Sequence, residues 1–442
     1  MNNCNKILVI SPNGETKPCP VIPLGALQVF ASLKANNFDV KFIDLCFVSD
    51  KINYLKQIIY QIKPKIIIFS IRNIDNETML SPKWYLHEVF SMINICRSDF
   101  SKIIIGGIGF SIMPFEIFNY LRPDFGILGS DSNSLIALVK YIFSDNISTL
   151  KLRTIPSLVF SSCEKIYSNK PRKYNNQLAN YGYSDFGEVI DERYVSFNQR
   201  QCSPPCFGIQ TSIGCNFNCI HCLIPKIEGK YQKISLDKVI EHLKSLSQKD
   251  NNHRVFFVDN ILNQNYNDSF SLCEEIIRNK INIRWTCFLH PKIIDEQLIQ
   301  IMKRSGCESV SIGIDTASES LLGLWQKGFS TSDIVNVAKY CNKYGIRTLF
   351  SLIFGSIGET PKTLRESLTF ITRINPSLVW GAWGVRVYPN TLLYKHLKKM
   401  NILDCSDNFL SPKYFISPEI VNNGKQILLE FSSQHSYFKV NF

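Results

Sequence analysis

Three cysteines stand close together in the middle of the chain. Residues 211–222 read TSIGCNFNCIHC, which places Cys215, Cys219 and Cys222 at CxxxCxxC spacing on a loop introduced by a glycine. Thiolates are soft ligands, and three of them on one short loop can bind an iron–sulfur cluster. Three thiolates leave one iron of a cubane open to a chelating ligand. The spacing therefore predicts a 4Fe–4S cluster with one open iron.

Other uses of these and nearby cysteines are less favoured. A zinc site needs a fourth ligand, and the ring of His221, which lies between two of the cysteines, is expected to point away from the metal. Cys202 and Cys206 precede the loop at CxxxC spacing, but a second cluster needs more ligands than these two, so we expect unligated thiols. The 15 cysteines come without a secretory signal, which disfavours a disulfide framework.

Composition limits the class of protein. The chain has 442 residues, of which 45% are hydrophobic and 19% charged, and this favours a folded protein with at least two cores. The net charge is +12, but the basic residues are scattered, so we expect no nucleic-acid partner. Aliphatic runs such as 66–69 and 103–105 are far shorter than the roughly 20 residues of a membrane helix. We expect a cytoplasmic protein with no membrane span.

Residues 1–145 alternate short apolar runs with amphipathic stretches. The predicted strands cover residues 6–11, 39–45, 65–71, 102–105 and 125–128. The predicted helices cover residues 24–36, 51–62, 85–97, 114–121 and 133–143. Five βα units predict an α/β domain with a doubly wound, Rossmann-like parallel sheet. Residues 146–205 lose this pattern and are predicted to form a linker or an irregular bridging layer.

The alternation resumes in residues 206–392. The predicted strands cover residues 207–213, 255–258, 283–289, 309–314, 347–354 and 378–387. The predicted helices cover residues 236–247, 268–279, 295–305, 331–344 and 361–374. Six βα repeats predict a partial (β/α)6 TIM-like barrel with its functional residues at the carboxyl ends of the strands. Residues 393–442, with a helix predicted at 420–431, are expected to cap it.

A CxxxCxxC loop after the first strand of a partial barrel resembles the radical S-adenosylmethionine (SAM) superfamily. The resemblance implies that the open iron binds the amino and carboxylate groups of SAM. It also implies that reductive cleavage of SAM yields a 5′-deoxyadenosyl radical, with a flavodoxin or ferredoxin type of protein as the reductant. His221 stands where this family usually carries an aromatic residue.

Four polar residues at strand ends are candidates for binding SAM. The family's usual glycine-rich motif after the second strand is not visible; Asp259 and Asn260 end that strand instead, so either is a candidate for the SAM amino group by position rather than by motif. Asp315 follows the fourth strand and could accept ribose hydroxyls. Glu359 lies in residues 354–360, FGSIGET, which resemble the family's G-x-P-G-E-T turn. Helix capping is the alternative role for the three carboxylates.

Three loops of the first domain carry a second resemblance. Residues 20–46, 70–76 (SIRNIDN) and 106–114 (GGIGFSIMP) resemble the cobalamin-binding domain of B12-dependent radical SAM proteins, on the branch that includes a thiopeptide tryptophan C-methyltransferase. Gly106 and Gly107 remove side chains where a nucleotide tail must pass the strand ends, and Ser111 can hydrogen-bond a ring nitrogen or phosphate.

The lower face of the corrin is expected to lack a histidine ligand. The first domain has no DxHxxG motif, and its single histidine, His87, falls in a predicted helix. The resemblance implies base-off cobalamin with Arg72 beneath the corrin, where a guanidinium has no lone pair to donate to cobalt. A strand-end salt bridge is the alternative for Arg72. Residues 129–133 read GSDSN in place of the branch's acidic stretch, and these side chains can cap the next helix.

The resemblance extends to residues 223–229, 384–391 (GVRVYPNT) and 410–418. Arg386 and Tyr388 end the sixth barrel strand. They are candidate catalytic residues, since Arg pairs with carboxylates and Tyr can position a proton or stack. Core packing or a salt bridge is the alternative for both.

Together, these features favour a B12-dependent radical SAM methyltransferase that acts on an unactivated carbon of a small molecule or peptide in specialised metabolism. One alternative is a rearrangement or cyclisation that uses the same cofactors without methyl transfer. Another is a corrinoid-binding sensor or carrier, which would not need the three clustered cysteines.

Overall fold

A computed structural model describes residues 5–17, 19–144, 148–171, 177–194, 206–248, 254–403 and 408–442. The chain divides into two compact units. The first holds residues 1–75 and 84–206, and the second holds residues 76–83 and 207–442. A short segment of the N-terminal half thus belongs to the second unit. Among the described residues, no helix combines the length and the apolar character needed to cross a membrane.

The first unit is built on a seven-stranded sheet of order β2-β1-β3-β4-β5-β6-β7. Its strands are β1 (Lys6–Ser11), β2 (Asp39–Asp44), β3 (Ile66–Ser70), β4 (Lys102–Gly106), β5 (Phe125–Ile127), β6 (Leu158–Ser162) and β7 (Lys165–Ser168). The first five strands pair in parallel, as the sequence predicts. The central strands β1 and β3 are continuous apolar runs because both faces of a parallel sheet are buried.

The helices of the first unit follow the predicted βα alternation. They are α1 (Leu24–Ala35), α2 (Lys51–Ile62), α3 (Leu86–Cys96), α4 (Ile108–Ile112), α5 (Pro114–Leu121), α6 (Ser132–Phe143), α7 (Thr149–Leu152) and α8 (Tyr183–Phe186). Asp50 caps α2 and Asp131 caps α6 through their side-chain oxygens. The predicted linker is wrong at its start, because β6 and β7 form a hairpin that pairs antiparallel with β5. The apolar residues of β6 are buried at this sheet edge.

The second unit contains a seven-stranded sheet of order β18-β15-β14-β13-β12-β11-β8. Its strands are β8 (Cys206–Ile209), β11 (Arg254–Phe257), β12 (Arg284–Phe288), β13 (Cys307–Asp315), β14 (Arg347–Phe354), β15 (Leu378–Trp383) and β18 (Phe438–Asn441). β11 to β15 are parallel neighbours. The predicted cap is incomplete, since the C-terminal segment also adds β18 in parallel to β15. A strand of four residues gives too short a pattern to be detected.

Helices connect these strands in the predicted order. They are α9 (Ile224–Ile227), α10 (Leu236–Ser247), α11 (Tyr266–Arg278), α12 (Glu296–Arg304), α13 (Glu319–Leu324), α14 (Thr331–Tyr344), α15 (Pro361–Arg373), α16 (Leu392–Lys399) and α17 (Gly424–Gln434). Two small antiparallel ladders lie at the carboxyl ends of the barrel strands, β9 (Ser212–Ile213) with β10 (Gln232–Lys233), and β16 (Val385–Arg386) with β17 (Tyr414–Phe415). β9 leads directly into the three cysteines.

Candidate functional site: the cysteine loop and the strand-end loops

The cysteine loop begins at a glycine that no other residue could replace without strain. Gly214 has φ +76°, and a Cβ on it would lie 2.3 Å from the carbonyl oxygen of Lys230. The amide of Cys215 donates to the carbonyl of Gly229 at 3.0 Å. The loop therefore turns sharply out of β9 and packs backbone to backbone against residues 229–230.

The three thiols lie in a partly desolvated environment. Cys215 is buried, and Cys219 and Cys222 are half-buried. Desolvation raises the pKa of all three thiols, that of Cys222 to about 11, while the positive charge of Lys327 acts to lower it. Among the described residues, no three His, Cys, Asp or Glu side chains are placed to hold a single metal ion. A cubane takes each thiolate on a different iron, so three soft donors on one loop fit it.

Asp259 holds the start of the cysteine loop. Its buried carboxylate accepts hydrogen bonds from the amides and hydroxyls of Thr211 and Ser212, the hydroxyl bonds measuring 3.1 and 2.6 Å. Burial raises the pKa of Asp259 to about 6, although these hydrogen bonds favour the charged form. The predicted contact of Asp259 with the SAM amino group remains a prediction, and the structure adds a bracing role that position alone does not reveal.

Asn260 and two residues missed by the sequence analysis hold the next part of the loop. Asn260 Nδ2 donates to Glu228 Oε2 at 2.6 Å, and the same oxygen accepts the amide of Gly214 at 3.3 Å. Gln264 Nε2 donates to the carbonyl of Gly214, and its Oε1 accepts the amide of Asn216, both at 2.9 Å. Glu228 falls in a segment that carries the family resemblance, but nothing in the sequence signals the role of Gln264.

Asp315 lies at the centre of a buried group of three charged or titratable side chains. Its Oδ2 accepts from Lys327 Nζ at 2.6 Å and lies 3.2 Å from His221 Nε2. Burial acts to raise the pKa of Asp315, but Lys327 and His221 outweigh it and lower this pKa to about 2. Asp315 also adopts φ +62°. Its predicted contact with ribose hydroxyls is untested, and one of its oxygens is already engaged.

The segment after α13 packs against the cysteine loop through its backbone. The amide of Ile220 donates to the carbonyl of Trp325 at 3.2 Å. His290 Nε2 lies 3.2 Å from the carbonyl oxygen of Lys327, and its ring stacks on Phe217 at 3.9 Å between centroids. Phe217 belongs to the cysteine loop. Lys327 was not predicted, since a single lysine after a short helix gives no distinctive signal.

Glu359 turns back onto its own loop. Its carboxylate is fully buried, and Oε2 accepts the amide of Gly355. Oε1 has no hydrogen-bond partner among the described residues. Desolvation raises the pKa of Glu359 to about 8. The side chain thus stabilises the β14–α15 turn as a neutral acid at pH 7. The helix-capping alternative does not apply, because Thr360 is the N-cap of α15; the predicted SAM contact remains a prediction.

Arg386 and Tyr388 make contacts within the second unit. Arg386 is buried, and its guanidinium donates to the carbonyls of Val387 and Phe409, each at 2.9 Å. The guanidinium also stacks over the Tyr388 ring at 4.8 Å. The Tyr388 hydroxyl donates to Glu77 Oε1 at 2.5 Å. For Arg386 these contacts match the packing alternative, and substrate contact remains a prediction for both residues.

In the first unit, the glycines of the β4 loop serve close backbone packing. Gly107 has φ +95°, and a Cβ there would lie 2.4 Å from the carbonyl oxygen of Ile71. A Cβ on Gly106 would meet only the carbonyl oxygen of Ile127, at 3.5 Å. Ser111 Oγ donates to the carbonyl of Gly107 and accepts the amide of Gly129. The hydroxyl of Ser111 therefore stabilises the loop itself, a role that was not predicted from the sequence.

A small cleft lies at the carboxyl ends of β3, β4 and β5. It encloses about 40 Å³, and its lining includes Ser70, Gly106, Gly107, Gly129 and Asp131 among apolar side chains. This volume holds a few water molecules at most, so a nucleotide tail would have to widen the cleft. The apolar walls and the polar rim are of the type such a tail requires.

Arg72 lies directly after β3 and is exposed as a residue, although its guanidinium is partly desolvated, which lowers its pKa. Among the described residues no carboxylate forms an ion pair with it, so the salt-bridge alternative is not supported there.

His87 lies on α3 and is exposed. Asp131 caps α6, which confirms the capping role predicted for residues 129–133. Cys202 lies outside the described residues, and Cys206 is described only as the first backbone position of β8.

Comparison with known proteins assigns part of the second unit. A model of the radical SAM superfamily matches residues 209–371. These residues are a radical SAM domain. The domain includes the cysteine loop, Asp259, Asp315 and Glu359, so the superfamily predicted from CxxxCxxC spacing is confirmed.

Relatives extend the likeness beyond the radical SAM domain. The chain is 22% identical to tryptophan 2-C-methyltransferase of Streptomyces laurentii, over 88% of this chain and 74% of that protein. Its fold matches the radical SAM methyltransferase TsrM from Kitasatospora setae, solved with cobalamin and a 4Fe–4S cluster, with TM-score 0.83, 20% identity, and coverage of 98% of this chain and 92% of that one.

A second solved structure with this fold is the cobalamin-dependent SAM radical enzyme OxsB, with aqua-cobalamin and SAM bound. The TM-score is 0.77 at 14% identity, over 97% of this chain and 66% of that one. These matches confirm the predicted fold class, a doubly wound domain followed by a partial radical SAM barrel. In sequence, the chain resembles tryptophan 2-C-methyltransferase, as predicted.

Proposed function

We propose that this protein is a cobalamin-dependent radical SAM methyltransferase that methylates an unactivated carbon of a small molecule or peptide in specialised metabolism. The observation that carries the proposal is the cysteine loop of the radical SAM domain, which Asp259, Glu228 and Gln264 hold in place. The relatives support it as well, since two of them are named as methyltransferases.

Cys215, Cys219 and Cys222 are the residues that would bind the 4Fe–4S cluster. When bound, the cluster supplies an electron for the cleavage of SAM. The protein contributes a fixed loop geometry and excludes water from the buried Cys215. We assign Asp259, Asn260, Asp315 and Glu359 to the surroundings of SAM, where the first two also brace the loop. A flavodoxin or ferredoxin type of protein is the proposed reductant.

The first unit is the proposed cobalamin domain, with Arg72, Gly106, Gly107 and Ser111 at its strand ends. When bound, base-off cobalamin without a histidine ligand supplies the methyl group. Exposed Arg72 offers positive charge and no lone pair. Gly107 and Ser111 keep the β4 loop packed against Ile71. We further propose residues 1–145 as the core of this domain, 206–392 as the barrel and 393–442 as its C-terminal extension.

The test uses anaerobically reconstituted protein, cobalamin and SAM carrying a labelled methyl group. Tryptophan is the first substrate to try because the relative from Streptomyces laurentii is named for it; other small aromatic metabolites and peptides follow. With an accepted substrate we expect labelled product, and 5′-deoxyadenosine and S-adenosylhomocysteine in about equal amounts, since one SAM serves each step.

Two other product patterns would contradict the proposal in different ways. Deoxyadenosine without S-adenosylhomocysteine, and a product with no added methyl group, would indicate a rearrangement or cyclisation. S-adenosylhomocysteine and methylated product without deoxyadenosine would indicate polar methyl transfer. Cobalamin binding with no turnover of SAM under any condition would favour a corrinoid sensor or carrier.

A further inference from the structure

Lys327 is a buried cation that no motif accounts for. Only 7% of the residue is exposed, and its ammonium group donates to Asp315 Oδ2 at 2.6 Å. That same oxygen lies 3.2 Å from Nε2 of His221, which stands between Cys219 and Cys222 in the sequence. One shared carboxylate oxygen therefore places the ammonium group beside the cysteine loop.

Electrostatic contacts agree with this placement. The ammonium group is paired with the carboxylate of Asp315, and it also lies close enough to the thiols of Cys219 and Cys222 to interact with both electrostatically. An isolated charge is costly to bury, and a partner carboxylate offsets that cost. Lys327 therefore remains charged inside the protein and lies within electrostatic reach of two of the three cysteines.

The backbone of the same segment fixes where this charge lies. The carbonyl of Trp325 accepts the amide of Ile220 in the cysteine loop, and the carbonyl of Lys327 contacts His290. A Cβ atom added to Gly328 would lie 3.5 Å from the Phe217 ring, so the two residues are close neighbours. These contacts hold the backbone of the segment against the cysteine loop, and the hydrogen bond to Asp315 holds the ammonium group.

We propose that Lys327 is a positioning residue that keeps a fixed positive charge beside Cys219 and so makes the iron–sulfur cluster easier to reduce. The inference rests on the proposed cluster at the three cysteines. Reduction adds a negative charge, and a nearby cation in a region of low dielectric constant stabilises the reduced state. Asp315 orients the ammonium group and partly offsets its charge, and His221 orients Asp315.

The experiment is a redox titration of the reconstituted holoenzyme without SAM, followed by electron paramagnetic resonance. Lys327→Met keeps the length and packing of the side chain and removes the charge, so we expect a more negative midpoint potential. Lys327→Arg keeps the charge and should remain near the wild-type value. Asp315→Asn removes the offsetting negative charge and should shift the potential in the positive direction.

Lys343→Met is the matched control. Lys343 also pairs with a carboxylate, that of Glu296, but it lies on the surface of the same unit, and its loss should leave the potential unchanged. Equal potentials in wild type, Lys327→Met and Asp315→Asn, at equal iron and sulfide content, would overturn the inference. If Lys327→Met takes up no cluster, the inference is tested with the other two variants. Lys327→Arg should keep the wild-type potential and Asp315→Asn should shift it in the positive direction, and an unshifted potential in Asp315→Asn would overturn the inference. A wild-type protein without iron or sulfide would instead contradict the proposed function.

Discussion

The cysteine loop of the second unit and the strand-end loops of the first unit are organised in opposite ways. Side chains from three barrel strands and their following loops hold the cysteine loop, and they bond the backbone at Ser212, Gly214 and Asn216. In the first unit, the strand-end loops are held by backbone packing at Gly107 and by Ser111, while Arg72 is exposed.

The difference shows how much of each site depends on its cofactor. A loop whose polar groups are paired internally is preorganised, so a ligand need not supply the energy to order it. In the first unit, the exposed side chain of Arg72 and the cleft of about 40 Å³ at the strand ends obtain their contacts from the molecule that binds there. Substitutions at the cysteine loop should therefore affect folding and cofactor together, whereas substitutions at Arg72 should affect the corrinoid alone.

Loss of a cluster cysteine should have the largest effect. We expect Cys215→Ala, Cys219→Ala or Cys222→Ala to abolish both the cluster and the cleavage of SAM, because two thiolates do not retain a cubane. Iron and sulfide analysis of anaerobically reconstituted protein measures the first, and release of 5′-deoxyadenosine measures the second. Exposed Cys163 is the control, and Cys163→Ala should retain about four irons and four sulfides. Stoichiometric zinc without sulfide in the wild type would contradict the prediction.

Gly214→Ala tests whether the loop is built before the cofactor arrives. A methyl group at φ +76° and 2.3 Å from a carbonyl oxygen should lower the free energy of unfolding by about 2 kcal/mol or more. Chemical unfolding of the cluster-free protein measures it. Gly323→Ala is the control, since a Cβ there meets open space on α13 and should be neutral or stabilise by up to about 1 kcal/mol. Equal stability of the two variants would mean that the loop is not preorganised.

Glu359→Gln should change the pH dependence of stability. The folded pKa of about 8 lies above the usual 4.5, so the folded state holds a proton that the unfolded state has lost between these values. The contribution of Glu359 to the free energy of unfolding therefore decreases as the pH rises from about 4.5 to 8, by up to about 1.4 kcal/mol per pH unit. Relative to the wild type, the variant should be more stable at pH 9 than at pH 5.

Unfolding curves of both proteins across this pH range measure the effect. Glu241→Gln is the control, since Glu241 is exposed beside Lys238 and its loss should not alter the trend between pH 6 and 9. A constant difference between wild type and Glu359→Gln from pH 5 to 9 would contradict the assignment of a neutral acid at pH 7.

The sequence predicted the regular parts of both units well, for identifiable reasons. Runs such as Ile66–Ser70 and Arg347–Phe354 are long enough, and periodic enough, to mark strands within a residue or two. The hairpin of β6 and β7 and the four residues of β18 were missed because short edge strands carry little pattern. CxxxCxxC spacing pointed to a cluster site because the three proposed ligands are neighbours in the chain.

The surroundings of the cluster were harder to predict because their residues are far apart in sequence. Asp259 and Asp315 were found by their positions at strand ends, but their partners Ser212 and Lys327 depend on how loops from different strands meet. A single sequence does not contain that information. For the same reason Arg386, which follows a strand near the barrel mouth, was assigned to substrate, although its guanidinium binds two backbone carbonyls.

Substitution of Arg72 should have the smallest effect on the fold. Its side chain is exposed, so Arg72→Ala and Arg72→His should unfold within about 0.5 kcal/mol of the wild type. The effect should instead lie in the corrinoid. We expect wild-type protein with cob(II)alamin to show a base-off spectrum without nitrogen hyperfine coupling from a protein histidine. Arg72→His places an imidazole lone pair at the same position and should introduce that coupling and slow turnover.

His87→Ala separates this explanation from a distant histidine ligand. His87 is exposed on α3, and its loss should leave the spectrum unchanged. If Arg72→His leaves both the axial ligation and turnover as in the wild type, Arg72 does not lie beneath the corrin. If it alters the fold as strongly as Gly214→Ala, the strand-end loop is braced in the way the cysteine loop is, and the contrast between the two regions fails.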